Sequence, residues 1–148
     1  MKINLKINEN LDEISVNIEA PKMNSEIAKI IEIFEKSNTG TQLINGKSED
    51  KFFFLDPTDI DIIRTEGGKL VMYDRLGKIY TVSKTLQEIF AGLPHQFFRI
   101  SKSAVVNIKR IDHISNSFSG TMYIKMKNGT DDYISRKYFT EFKTRLGL

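Results

Sequence analysis

In the stretch Phe97 to Ile108, FFRISKSAVVNI, two apolar runs flank the polar triplet Ser101, Lys102 and Ser103. Two hydroxyls and an ammonium on an exposed loop, with Arg99 just behind them, are hydrogen-bond donors with no catalytic partner beside them. Phosphate oxygens and base edges require donors of this kind. A second set, Ser135, Arg136 and Lys137 in ISRKYF, leads into a helix-like segment near the C-terminus. The two sets together point to nucleic acid.

Charge placement agrees. The net charge of +3 hides an uneven distribution: residues 1–50 hold six Lys/Arg against nine Asp/Glu, residues 51–96 six against six, and residues 97–148 ten against four. An acidic start joined to a basic end directs the last third toward a polyanion. The plain alternative is that these lysines are ordinary solvated surface. Among them, Lys109, Arg110 and Lys143 are candidate phosphate contacts. In a strand, adjacent residues face opposite ways, so at most one of Lys109 and Arg110 is well aimed.

Other chemistry finds little support. There is no cysteine, hence no disulfide, thiolate nucleophile or cysteine metal site. His95 and His113 lack metal-ligand spacing. Asp131-Asp132 reads as a solvated loop end, and adjacent carboxylates diverge too much for acid/base work. Gly67-Gly68 has no helix after it, so it is a strand turn and not a phosphate cradle. No catalytic residue, cofactor, metal or small-molecule substrate is expected. With 40% hydrophobic residues and no apolar run near the roughly 18 residues of a membrane span, the expectation is a soluble, cytoplasmic protein with a packed core.

The elements that must hold the donors are mostly strands. Lys2 to Ile7 and Glu13 to Glu19 alternate with period two and predict a hairpin. Ile27, Ile30, Ile31 and Phe34 then mark an amphipathic helix capped by Asn24 or Ser25 and ending before Gly40. The polar run Asn45 to Lys51 reads as a boundary, dividing a β-β-α extension (1–50) from the rest (51–148). Strands are expected over residues 52–55, 59–65, 69–73, 78–82, 97–100, 104–109, 121–126 and 132–135. Turn signals separate most of them, the firmest being a type I′ hairpin at Asn128-Gly129. Thr85 and Glu88 have capping-box spacing for a short helix, and Ser135 is placed to cap a final helix closed by Gly147. The aromatics Phe52 to Phe54, Phe97, Phe98, Tyr138, Phe139 and Phe142 read as core.

The motifs LDPTDIDIIRTEGGKLVMY, KIYTV with TLQEIF, FFRISKSAVVNIKRIDHI and MYIKMKNGTDDYISRKYFTEFK follow one another over residues 51–148. In that order and spacing the chain resembles the LytTR DNA-binding domain of bacterial transcription regulators. The resemblance implies an α+β, mainly β fold of small antiparallel sheets stacked side by side. Its loops, not a recognition helix, enter the major groove of double-stranded DNA. Carried over by position, the base-reading residues are Lys102, Lys137 and, in the loop Glu66 to Lys69, either Lys69 or the Gly68 backbone. Gly68 departs from the family pattern because it has no side chain to read with.

Each position has a plainer reading. Lys102 is also an exposed loop lysine, Ser135 a helix cap, Arg99 a brace for a nearby acid such as Asp112, and Asn107 a satisfier of strand-end backbone. The segment before Lys51 is far shorter than a receiver domain, so a stand-alone regulator is expected. Resemblance further implies a homodimer on paired DNA repeats and a small membrane regulatory protein as partner. The alternative is a protein-interaction module whose basic face meets an acidic partner. DNA reading needs Lys69, Lys102 and Lys137 on one edge, whereas a protein interface would centre on exposed aromatics.

Overall fold

The computed structural model describes residues 6–11, 16–37, 42–116 and 120–148. Helix α1 spans Ser25–Ser37, and Asn24 caps it through Oδ1, which accepts from Ile27 N at 3.0 Å. The expected N-terminal hairpin lies partly outside the described residues. Where it is described, at Lys6, Ile7 and Val16 to Glu19, there is no strand, and Ile7 and Val16 are exposed.

Seven strands form one antiparallel sheet: β1 (Ile44–Ser48), β2 (Lys51–Leu55), β3 (Ile60–Glu66), β4 (Lys69–Asp74), β5 (Ile79–Val82), β6 (Phe97–Ser101) and β7 (Ala104–Asn107), in the order β2-β1-β5-β4-β3-β7-β6. The polar run expected as a boundary is therefore a hairpin of this sheet. Ser48 pairs with Lys51 across a two-residue turn, and Glu49 and Asp50 both take positive φ, 50° and 60°. A type I′ turn needs that pair of conformations. Gly46 explains how so polar a strand fits. A Cβ there would lie 2.7 Å from Tyr80 Cβ and closer still to Met72 Cε, so β1 passes over the core where no side chain has room.

A second sheet, in the order β10-β9-β8, contains β8 (Ile111–Asn116), β9 (Met122–Met126) and β10 (Asp131–Ile134). Asn128-Gly129 does turn β9 into β10, but only Gly129 has positive φ, so the turn is not type I′. Asn128 is held otherwise: its Oδ1 accepts from Thr130 N (3.0 Å) and its Nδ2 donates to Asp74 O (2.8 Å). Residues 108–110 form a 3-10 turn and not the end of a strand.

Strand alternation divides the core between the two faces of the large sheet. Ile63, Met72, Tyr80, Phe97 and Val105 pack with α2 (Leu86–Gly92), whose N-cap is Thr85. Ile62, Ile100 and Val106 pack instead with Ile124, Met126 and Ile134 of the small sheet and with Phe142 of α3 (Arg136–Leu146). The expected aromatic core holds for Phe97 and Phe142, which are buried, whereas Phe52 is 47% exposed on the edge strand β2. Helix α3 ends as expected on Gly147 in the left-handed conformation.

Candidate nucleic-acid interface

The three donor segments converge through backbone hydrogen bonds. Thr65 N, near the end of β3, donates to Ser103 O (2.9 Å) in the β6–β7 turn, and Ser135 N donates to Ile100 O (2.8 Å) at the end of β6. The β3–β4 turn, the β6–β7 turn and the start of α3 therefore share one edge of the molecule. Lys69, Lys102 and Lys137 lie on these segments and are all exposed.

Each segment is shaped by local chemistry. Gly67 and Gly68 both adopt positive φ (54° and 77°), forming the tight two-residue turn between Glu66 and Lys69. In the β6–β7 turn, Arg99 Nη2 donates to Lys102 O (2.7 Å), and Ser103 N donates to Ser101 Oγ (3.1 Å). Arg99 thus braces the turn from behind, while Asp112 bonds His113 instead. Ser135 occupies the N-cap position of α3, yet its side chain makes no capping hydrogen bond. Its carbonyl oxygen accepts from Tyr138 N and Phe139 N. Arg136 and Lys137 are exposed in the first turn, and the Lys137 ammonium lies 5.6 Å from the Tyr138 ring centroid. Further along α3, Lys143 Nζ lies 5.8 Å from the Phe139 ring centroid.

Lys109 and Arg110 are not part of this gathering. They follow the opposite end of β7, about 13 Å from the Lys102 turn at 3.3 Å per strand residue. Lys109 is exposed, whereas Arg110 Nε donates to the fully buried Asp61 carboxylate at 2.7 Å. Asn107 satisfies backbone, donating to Ile60 O (3.0 Å) and accepting from Lys109 N (3.1 Å).

Behind the edge is a cluster that sequence reasoning missed. Arg64 Nε meets Glu66 Oε1 at 2.5 Å, and its Nη1 donates to Asp131 O (2.7 Å) and Asp132 Oδ2 (3.3 Å). The guanidinium also lies 5.1 Å from the Tyr73 ring centroid, and Tyr73 OH donates to Glu66 Oε1 (2.8 Å). Burial opposes the Arg64 charge, but its interactions with Tyr73 and Glu66 outweigh that and raise its pKa. Asp131-Asp132 is thus no solvated loop end: it begins β10, and Asp132 is paired. No local pattern signals a contact between residues 67 and 68 positions apart. Among the described residues, no three His, Asp or Glu side chains cluster to hold a metal, and no helix is long and apolar enough to cross a membrane.

The fold is a mainly β module with three exposed lysines, Lys69, Lys102 and Lys137, on the segments that share one edge. The chain belongs to the LytTr DNA-binding domain family, whose model matches residues 50–147. It is similar to two HTH-type transcriptional regulators of Staphylococcus aureus, both uncharacterized, at 29% and 28% identity. In each case the match covers all of this chain and 99% of the relative. In three dimensions it resembles the LytTr DNA-binding domain of a Bacillus cereus protein described as a methyl-accepting/DNA response regulator. That match has a TM-score of 0.67 at 24% identity and covers 74% of this chain and all of the other. Among the described residues no helix directly follows another in chain order, since strands intervene between α1, α2 and α3.

Proposed function

We propose that the protein is a sequence-specific transcriptional regulator that inserts the β3–β4 turn, the β6–β7 turn and the start of α3 into the major groove of double-stranded DNA. The observation that carries this reading is the convergence of those segments on one edge through Thr65 N–Ser103 O and Ser135 N–Ile100 O. Lys102 and Lys137 read bases, as donors able to reach guanine O6 or N7. Lys69 and the Gly68 backbone contribute from the third segment. Ser101, Ser103, Ser135 and Arg136 supply hydrogen bonds to phosphates beside the readers, and Arg99 holds the Lys102 turn.

Binding is to paired repeats as a homodimer. One copy offers only a few base contacts, and two linked weak sites gain from effective concentration. The acidic partner of the alternative reading would find the same lysines, but the exposed aromatics among the described residues, Phe34, Phe52 and Tyr133, lie on three separate elements, α1, β2 and β10, and not in the lysine-bearing turns. Selecting bound sequences from random duplexes supplies the preferred site. Lys102→Ala and Lys137→Ala are then measured on that site and on a scrambled duplex. Each should lose about 1–3 kcal/mol on the preferred site alone. Full retention of preference by both variants would overturn the assignment.

A further inference from the structure

The three reading segments come from strands far apart in sequence, and base recognition demands that they keep a fixed spacing. The geometry points to Arg64 as the positioning residue that sets this spacing, an inference that rests on the reading edge proposed above. Arg64 lies in β3 directly opposite Ala104, the residue after Ser103. Two residues further along β3 is Glu66, the last residue before Gly67-Gly68, and Arg64 Nε holds its carboxylate. Through Nη1 the same guanidinium holds the Asp131 carbonyl and the Asp132 carboxylate at the start of β10, the strand that runs into Ser135 and α3. One planar group therefore touches the strand behind the β3–β4 turn and the strand behind α3, and it sits on the strand paired with the β6–β7 turn.

The chemistry suits a spacer. A guanidinium is rigid and its donors diverge in fixed directions, so bonds to two elements fix an angle as well as a distance. Its side chain is only 22% exposed and Tyr73 covers one face, so solvent competes little. Glu66 is in turn held by Tyr73 OH, which removes the remaining freedom of the acceptor. The backbone bonds Thr65 N–Ser103 O and Ser135 N–Ile100 O join the β6–β7 turn to each neighbour. Arg64 adds a hydrogen-bonded link between the turn end of the β3–β4 hairpin and the start of the strand feeding α3. A reading group displaced by a fraction of an ångström loses its base contact while a phosphate contact adapts.

The test compares Arg64→Lys, which keeps the charge but loses the fork, with Asp132→Asn, which removes one charged acceptor and leaves the Asp131 carbonyl bond. Both are measured beside Lys102→Ala and Lys137→Ala on the preferred and a scrambled duplex at two salt concentrations, with a thermal melt of each. Arg64→Lys should retain a cooperative melt, unchanged affinity for scrambled DNA and an unchanged salt slope. Its preference for the specific site should fall about tenfold or more, the equivalent of one lost base contact. Asp132→Asn should lower the preference by a smaller factor, and it decides the matter if Arg64→Lys does not fold. A purely structural role would shift the melt and leave the preference intact, which overturns the inference while the lysine variants still lose theirs. If the lysine variants keep their preference, the reading edge itself is misassigned, and with it the role of Arg64.

Discussion

Arg110 Nε donates to Asp61 Oδ1 at 2.7 Å, and the other oxygen of that fully buried carboxylate accepts from Asn128 N at 3.0 Å. One strand residue thereby ties the 3-10 turn after β7 and the β9–β10 turn to the large sheet, at the end opposite the reading edge. A buried carboxylate left without its cation retains the desolvation penalty of a charge. Arg110→Ala should therefore destabilise the fold by about 3 kcal/mol, measured by urea denaturation. The Asp61→Asn, Arg110→Ala double variant should lose less than the sum of the single losses. A destabilisation by Arg110→Ala below about 0.5 kcal/mol, the range of an ordinary surface change, would contradict this account.

The position of β1 changes where the domain can be cut. A chain starting at Gln42 keeps the β1–β2 hairpin and should melt cooperatively and bind one half-site. A chain starting at Lys51 loses β1, which joins β2 to β5 in the sheet, together with the buried Ile44. It should be less stable by several kcal/mol, since a core Ile alone is worth about 2–5 kcal/mol. Circular dichroism melts of the two chains decide the point, and equal midpoints would show that β1 is not integral.

Alkaline stability has a defined sign. Burial, followed by the Asp74 carboxylate to which its hydroxyl donates at 3.1 Å, pushes the Tyr80 pKa up to about 12 from the ordinary 10.0. The folded state holds this proton more tightly than the unfolded chain does, so the stabilisation is complete below pH 10 and is lost as pH rises through about 12. The stability difference between the parent chain and Tyr80→Phe should shrink across that window. A difference that stays constant from pH 9 to the alkaline limit would remove Tyr80 from the explanation.

Holding contacts should separate by place. Arg136→Ala, beside the readers, should weaken all duplexes alike and reduce the log-log salt slope by roughly 0.9. Lys109→Ala, in the 3-10 turn beyond the far end of β7, should leave both unchanged. A reduced slope for Lys109→Ala would extend the interface to the far end of the strand.

The strands from β2 to β7 were legible because alternating or apolar runs coincided with turn residues, and α2 because Thr85 and Glu88 stand at capping spacing. In β1 the pattern was hidden, since Asn45, Lys47 and Ser48 look like loop and the strand depends on the space left by Gly46. Asn128-Gly129 carries the sequence signal of an I′ turn, but Asn128 is held by its bonds to Thr130 and Asp74. The positive-φ pair falls at Glu49-Asp50, which carry no glycine to announce it. Ser101 to Ser103 and Ser135 to Lys137 were visible as donors in a polar context. Arg64 was invisible for a different reason: a charged residue in an apolar strand discloses its partners only when chain segments nearly 70 residues apart meet.

The Gly67-Gly68 turn carries a consequence for how DNA preference changes over generations. A Cβ at either position meets nothing within 4 Å, so there is room for a side chain, but the positive φ of 54° and 77° strains nearly every residue that would bring one. Asparagine is suited to the site, because it tolerates the left-handed conformation and its amide can bond both N6 and N7 of adenine. On the proposed reading of this turn, Gly68→Asn would therefore add an adenine contact while leaving the other two segments as they are.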